Sequence, residues 1–273
     1  MLKQVVTPEM AIEKFELSRH KDRPTIRDYI PLLFKDFVEL HGDRGYADDK
    51  ALLTGVALFA GTPVTVIGHV KGRNTKENIQ ANFGMPHPEG YRKALRQMKL
   101  AEKFRRPIIT FVDTPGAYCG IGAEERGQGM AIAENLAEMF GFTVPIISII
   151  TGEGASGGAL GIACANCVLM LENSIYTVIS PKGFASILWK DASREKEAAA
   201  RVRMTAQDLM EFGIIDGIIN ESDGGAHRNV DFTALEIKKA IEAGLKKFAN
   251  MDAAGIKQHR YDKFRAMGDI GIE

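Results

Sequence analysis

Three runs in this chain, Pro107–Asp113 (PIITFVD), Val144–Ile150 (VPIISII) and Cys167–Leu171 (CVLML), are apolar almost without interruption. A strand with one wet face alternates apolar and polar residues, so a run lacking that alternation predicts a strand covered on both faces. Stretches with helical spacing separate these runs. Glu89–Phe104 places Tyr91, Ala94, Leu95, Met98 and Ala101 on one face, and Ala123–Phe140 reads as one continuous helix. Alternation of this kind predicts an α/β layered domain built on a parallel sheet.

Upstream of that block, Leu52–Ala60 and Pro63–Val70 read as two short strands in a hairpin turning at Gly61–Thr62. Everything before Leu40 reads as helical, with Thr25 and Asp28 as capping residues and PLLFKDFVEL as an apolar-rich helix carrying Pro31 near its start. The polar stretch from Lys71 to His87 is long for a connection, and long loops are often functional. Downstream, Ile175–Ser180 reads as a strand, one helix is opened by Thr205 and ended by Gly213, and the last long helix covers about Thr233 to Phe248. The expected organisation is an N-terminal helical segment (1–40), one domain (41–250) and a peripheral C-terminal tail (251–273).

Charge says little about partners. Lys plus Arg and Asp plus Glu are 35 each, so an anionic ligand has to be met by a local cluster. No apolar run reaches the roughly 20 residues of a membrane span, and MLKQVVTPEM lacks the apolar region of a signal peptide. A cytoplasmic protein without membrane contact is expected. The cysteines are Cys119, Cys164 and Cys167, an odd number that argues against a disulfide framework. Cys164 and Cys167 form a C-x-x-C pair with no second pair to complete a zinc site, in an apolar stretch where buried free cysteine is common; core packing is expected, and no bound metal.

The most informative segment is VPIISIITGEGASGGALGIA, a buried strand, a glycine-rich turn and a helix. Three chemistries fit it. Gly152-x-Gly154-x-x-Gly157, with Glu172 further on, matches a dinucleotide fingerprint, although the fingerprint normally opens the first βαβ unit and this one follows two strand–helix units. Gly154-x-Ser156-x-Gly158 matches the nucleophile elbow of α/β-hydrolases; only His227 and His259 follow it, and a serine here is also expected to cap the helix. The third reading needs backbone alone. Gly157 and Gly158 at a helix N-terminus expose unpaired N–H groups that a ligand can approach closely, suited to a developing oxyanion. Glycines that only ease tight packing are the plain alternative.

The surrounding motifs resemble a known family. From Arg27 to about Asn229, ELHGDRGYADDKA, VIGHVKGRNTKEN, NFGMPHPEGYRKALRQM, FVDTPGAYCGIGAEERGQ, GEGASGGAL, VISPKGFASILWKDA and GGAHRN run in the order of the bacterial acetyl-CoA carboxylase carboxyltransferase alpha subunits, members of the crotonase superfamily. The resemblance implies a crotonase-like ββα spiral, a single carboxyltransferase domain with an N-terminal helical segment and C-terminal helices. It implies transfer of a carboxyl group from carboxybiotin, held on the biotin carboxyl carrier protein, to acetyl-CoA, giving malonyl-CoA for fatty acid biosynthesis. It also implies a site shared with a separate beta subunit in an α2β2 assembly that works with biotin carboxylase. Each subunit would bring one backbone oxyanion hole, here Gly157 and Gly158 on the biotin side. Cys119 stands where proline is expected, Ala155 replaces a glycine and Lys182 replaces an acidic residue.

Gly116 and Ala117, at the end of a buried strand, are candidates for lining the biotin pocket opposite that turn, against a plain turn set by Pro115 and Gly116. Lys71, Arg73 and Lys76 are candidates for meeting coenzyme A phosphates or the carrier's acidic surface, against a solvated loop. Two rival functions are an acyl-CoA hydratase or isomerase acting alone, which needs an acid or base that no motif supplies, and a non-catalytic assembly module.

Overall fold

A computed structural model describes residues 6–268. The chain opens with α1 (Pro8–Ser18) and α2 (Ile26–Leu33), then β1 (Lys35–Glu39), β2 (Leu52–Phe59), β3 (Thr62–His69) and a short α3 (Thr75–Gln80). The central part runs α4 (Pro88–Lys103), β4 (Ile108–Thr114), α5 (Ile121–Glu125), α6 (Gln128–Gly141), β5 (Ile146–Ala155), α7 (Ser156–Ala163), β6 (Cys167–Leu171) and β7 (Ile175–Thr177). The remainder is α8 (Pro181–Trp189), α9 (Glu195–Arg201), α10 (Ala206–Glu211), β8 (Gly217–Ile219), α11 (Val230–Phe248) and α12 (Ala253–Ala266).

The eight strands form one sheet in the order β1-β2-β3-β4-β5-β6-β8, with β7 paired to the far half of β5. The β1–β2 and β2–β3 pairs are antiparallel and all the others parallel, as the uninterrupted apolar runs require. Two apolar layers cover the sheet. Ile109, Phe111, Ile147 and Ile149 pack under α2 and α11 through Ile26, Tyr29, Ile237 and Ile241. Their neighbours Ile108, Val112, Ile146 and Ile150 pack on the opposite face under α4, α6 and α7 through Met98, Met139 and Ile162. Successive residues of one strand thus serve opposite layers.

Local details depart from the sequence reading in four places. Residues 35–39 of the expected N-terminal helix are strand β1, because the helix carrying Pro31 stops at Leu33 and Phe37 then seats over Gly55 of β2, where a Cβ would lie 2.4 Å from the ring. The Ala123–Phe140 helix is broken at Gly127, which takes φ +82° between α5 and α6. The Lys71–His87 loop contains α3, capped by the Asn74 side chain accepting from the Glu77 N–H at 3.0 Å, followed by three left-handed residues, Asn82, Phe83 and Gly84.

The C-terminal tail is the fourth departure. Residues 253–266 form α12, held by Arg260, whose guanidinium is fully buried. It donates to the carbonyls of Met139 (2.6 Å), Phe142 (2.8 Å) and Val144 (3.0 Å) and to Asn166 Oδ1. That segment is not peripheral. Residues 1–5 and 269–273, the rest of the two terminal segments, lie outside the described residues.

Candidate functional site

Strand β5 does not end where its apolar run ends; it continues through Thr151, Gly152, Glu153 and Gly154 to Ala155. The pairing with β4 slips between Val112↔Ile150 and Thr114↔Gly154, so β5 bulges there. Asp113 fills the bulge: a Cβ on Gly152 would lie 2.3 Å from its Oδ1, which accepts the Glu153 N–H at 3.0 Å. Gly154 makes room in the same way for the Tyr176 ring. Gly152 and Gly154 are therefore packing glycines inside a strand, whereas the first glycine of a dinucleotide fingerprint makes the tight turn. The reversal into α7 falls on Ser156, at φ +56°.

Ser156 is exposed, and its hydroxyl makes no hydrogen bond to any described residue. It caps nothing, contrary to expectation, and no imidazole reaches it to activate it as a nucleophile. Gly157 and Gly158 follow in the first turn of α7, where backbone N–H groups have no partner within the helix. Gly158 is buried, and a Cβ there would lie 2.4 Å from Ala117 N and 2.5 Å from the Gly116 carbonyl carbon. Gly157 is half-buried, and a Cβ would meet only Ile132, at 3.7 Å. The two predicted pairs, Gly157–Gly158 and Gly116–Ala117, thus meet backbone to backbone at the C-terminal end of β4 and β5.

The facing loop is rigid for visible reasons. Thr114 Oγ1 donates to Gly116 O (2.7 Å) and accepts from Gly116 N (3.0 Å), while Gly116 holds φ +144° with open space where a Cβ would be. Tyr118 N donates to Pro86 O at 3.0 Å, and the Gln128 amide donates to both Pro86 O and Tyr118 O at 2.8 Å.

Lys71 and Arg73 are each tied to carboxylates of this chain. Lys71 Nζ lies 2.7 Å from Asp113 Oδ1 and 2.8 Å from Glu153 Oε2, and Arg19 Nε reaches Glu153 from α1 at 3.2 Å. Burial works against the Lys71 charge, but the two carboxylates outweigh it and hold the ammonium above the ordinary lysine value. Arg73 pairs with Asp28, and its N–H donates to the Glu77 carboxylate at 2.8 Å.

Sequence reasoning passed over the residues beneath α7. Tyr91, fully buried on α4, donates its hydroxyl to Gly158 O at 3.1 Å, and its ring occupies the space left by Gly161, where a Cβ would lie 2.7 Å away. Asn135 on α6 donates to both Tyr91 O (3.1 Å) and Gly161 O (2.9 Å). His69 sits against the backbone of Gly158 and Phe111 without reaching hydrogen-bonding geometry; burial, aided by the nearby Lys71 charge, pushes its imidazole down to about 3, so it is neutral. The one signal in the sequence was the spacing of Gly158 and Gly161, three apart on one helix face.

Cys164 and Cys167 pack in the core, where burial pushes their thiols up to about 12 and about 11. Among the described residues no group of three or more His, Cys, Asp or Glu is placed to hold a metal ion, and no helix is long and apolar enough to cross a membrane.

The parallel-rich sheet, with its antiparallel β1–β2–β3 border and its covering helices, has the crotonase-like fold of carboxyltransferases, and solved structures share it. A transcarboxylase 12S structure with methylmalonyl-coenzyme A and methylmalonic acid bound superposes with a TM-score of 0.68 at 19% identity, over 90% of this chain and 46% of that one. A Pseudomonas malonate decarboxylase hetero-tetramer in complex with coenzyme A gives 0.61 at 16% identity, over 79% of this chain and 88% of that one. Residues 1–268 match the family described as acetyl co-enzyme A carboxylase carboxyltransferase-like, and the chain belongs to that family. It is 58% identical over 258 residues to the acetyl-coenzyme A carboxylase carboxyl transferase subunit alpha of Clostridium botulinum (strain Alaska E43 / Type E3), covering 94% of each chain. It is 57% identical over 265 residues to the subunit of the same name from Clostridium perfringens (strain ATCC 13124), covering 97% of this chain and 98% of that one.

Proposed function

We propose that this chain forms the biotin side of a carboxyl-transfer site, in which the carboxyl group of carboxybiotin, carried on a biotin carboxyl carrier protein, passes to acetyl-CoA to give malonyl-CoA. A beta subunit completes the site in an α2β2 assembly, with biotin carboxylase supplying the carboxylated carrier, and the reaction runs in the cytoplasm. One observation carries this reading: the first turn of α7 presents donors that no side chain shields at Gly157, held against the rigid Gly116–Ala117 loop.

Carboxybiotin supplies the activated carboxyl group. The chain's own contribution is electrostatic. The N–H groups of Gly157 and Gly158 face negative charge growing on a ureido oxygen, and the α7 dipole adds to them. They are fixed before reaction, so no reorganisation is spent on aligning them. Gly116 and Ala117 form the opposite wall. Lys71 is committed to Asp113 and Glu153, and Arg73 to Asp28, so in this reading both hold the frame of the site and neither meets a phosphate. The same pairing speaks against a lone hydratase or isomerase, since the two buried carboxylates near the turn, Asp113 and Glu153, are paired with Lys71 and Arg19.

Gly157→Val tests the reading. It extends from a position with room for a Cβ, so the fold should hold, while the added methyls cover the donors. Malonyl-CoA decarboxylation with a biotin analogue as acceptor, measured on the chain mixed with a beta subunit, is expected to fall about 10²-fold. Near-normal turnover by a folded Gly157→Val complex overturns the assignment. The isolated chain is expected to be silent, and robust malonyl-CoA formation without the second subunit would refute the shared site.

A further inference from the structure

We propose that Tyr91 is a positioning residue for carboxyl transfer, whose phenol fixes the orientation of the Gly157–Gly158 donors by holding the Gly158 carbonyl. The inference rests on the donor reading above and deepens it.

Two adjacent glycines are the least constrained pair a backbone can contain. Donors aimed at a developing charge are effective only when their direction is set beforehand. The first turn of a helix has no earlier turn to hold its N–H groups, so the constraint has to come from outside α7. The structure supplies it on two sides. Ala117 N and the Gly116 carbonyl press on the Gly158 Cα from the loop, leaving no room for a Cβ. From below, Tyr91 Oη donates to Gly158 O at 3.1 Å. The N–H and the C=O of Gly158 flank one Cα, so holding the carbonyl also limits the swing of the amide.

The hydroxyl is not needed to satisfy that carbonyl. A helical C=O already accepts from the amide four residues on. Nor does packing require it: the ring fills the space left by Gly161, and phenylalanine would fill the same volume. A buried phenol costs desolvation, and its one hydrogen bond goes to Gly158, one of the two donor residues. Burial also raises the Tyr91 pKa well above its ordinary value, so the group remains a donor at every working pH. Asn135 ties α4 to α7 by donating to the backbone carbonyls of Tyr91 and Gly161.

The test is Tyr91→Phe in the complex with the beta subunit, alone and combined with Gly157→Val. The expected result is a kcat lower by about 10-fold, with KM for both substrates within about twofold and the thermal midpoint nearly unchanged; the combined variant should be no slower than Gly157→Val alone, since both act through the same donors. Backbone 15N relaxation supplies a second readout on the isolated chain: the Gly157 and Gly158 amides should become more mobile in Tyr91→Phe while the β4 and β5 amides do not. An unchanged kcat with unchanged amide mobility at the two glycines overturns the proposal. So does a loss that follows the thermal midpoint, or full additivity with Gly157→Val. Normal turnover by Gly157→Val removes the donor reading itself, whereas an impaired Gly157→Val beside a normal Tyr91→Phe removes Tyr91 alone.

Discussion

At Ser156 the backbone enters the left-handed region, where an L side chain costs about 1–2 kcal/mol. The strain sits at the corner between β5 and α7, as it would in a nucleophile elbow, but among the described residues no imidazole bonds the hydroxyl to activate it. Because its hydroxyl caps nothing, Ser156→Ala should change stability by less than about 0.5 kcal/mol in urea denaturation and leave carboxyl transfer intact. A loss of activity beyond 10³-fold in the folded variant would restore a chemical role. The two neighbouring glycines, equivalent by sequence, differ in structure. A Cβ at Gly158 meets the Gly116–Ala117 backbone, which has nowhere to go. Gly158→Ala should therefore cost about 1–3 kcal/mol, and Gly157→Ala much less, by the shift in urea midpoint. Only Gly157 separates chemistry from packing.

Elements were legible where their signal was local. Strands β4, β5 and β6 announced themselves as apolar runs, α10 by Thr205 and Gly213, and α11 by its periodicity, because burial and capping write directly onto side-chain type. The glycine turn was legible for the same reason, as adjacent glycines after a buried strand. What escaped depends on distant partners. Strand β1 exists because β2 offers Gly55 to Phe37, a fact absent from residues 35–39 themselves. Tyr91 and Asn135 looked like ordinary helix residues until α7 was laid across them. Helix α12 was missed because its anchor is an arginine, a residue type expected on the surface. There the guanidinium serves as a cap in trans, satisfying carbonyls at the end of α6 and beyond it. Arg260→Met should cost about 2–4 kcal/mol, since three buried carbonyls lose a charged donor, and urea unfolding of the isolated chain measures it. An unchanged midpoint would mean α12 is not part of the cooperative unit.

For the molecule as a whole, buried charge sets the response to acid. His69 is neutral when folded, with its pKa near 3 against 6.5 in the unfolded chain, so between those values only the unfolded state takes up the proton. Stability therefore falls as pH drops from 6.5 toward 3, by up to roughly 4 kcal/mol. Glu221 acts in the same direction. Burial pushes its carboxyl up, but the Arg23 guanidinium, 2.5 Å away, prevails and holds it below the ordinary carboxylate value; this stabilisation is present above the unfolded pKa and is lost as pH falls through the folded one. Urea midpoints at pH 7.5, 6 and 5 should decline in sequence, and His69→Gln should flatten the decline; an equal slope in that variant would place the titration elsewhere. The two outermost strands have a different kind of consequence. Strand β1 is five residues long, with Asp36 at φ +51° and a broken register between Lys35 and Val38, and β8 at the other end has only three residues. Neither border offers a straight row of free amides and carbonyls, so the sheet cannot template an added strand, and the chain is guarded against edge-to-edge polymerisation while its helical faces remain available to a partner.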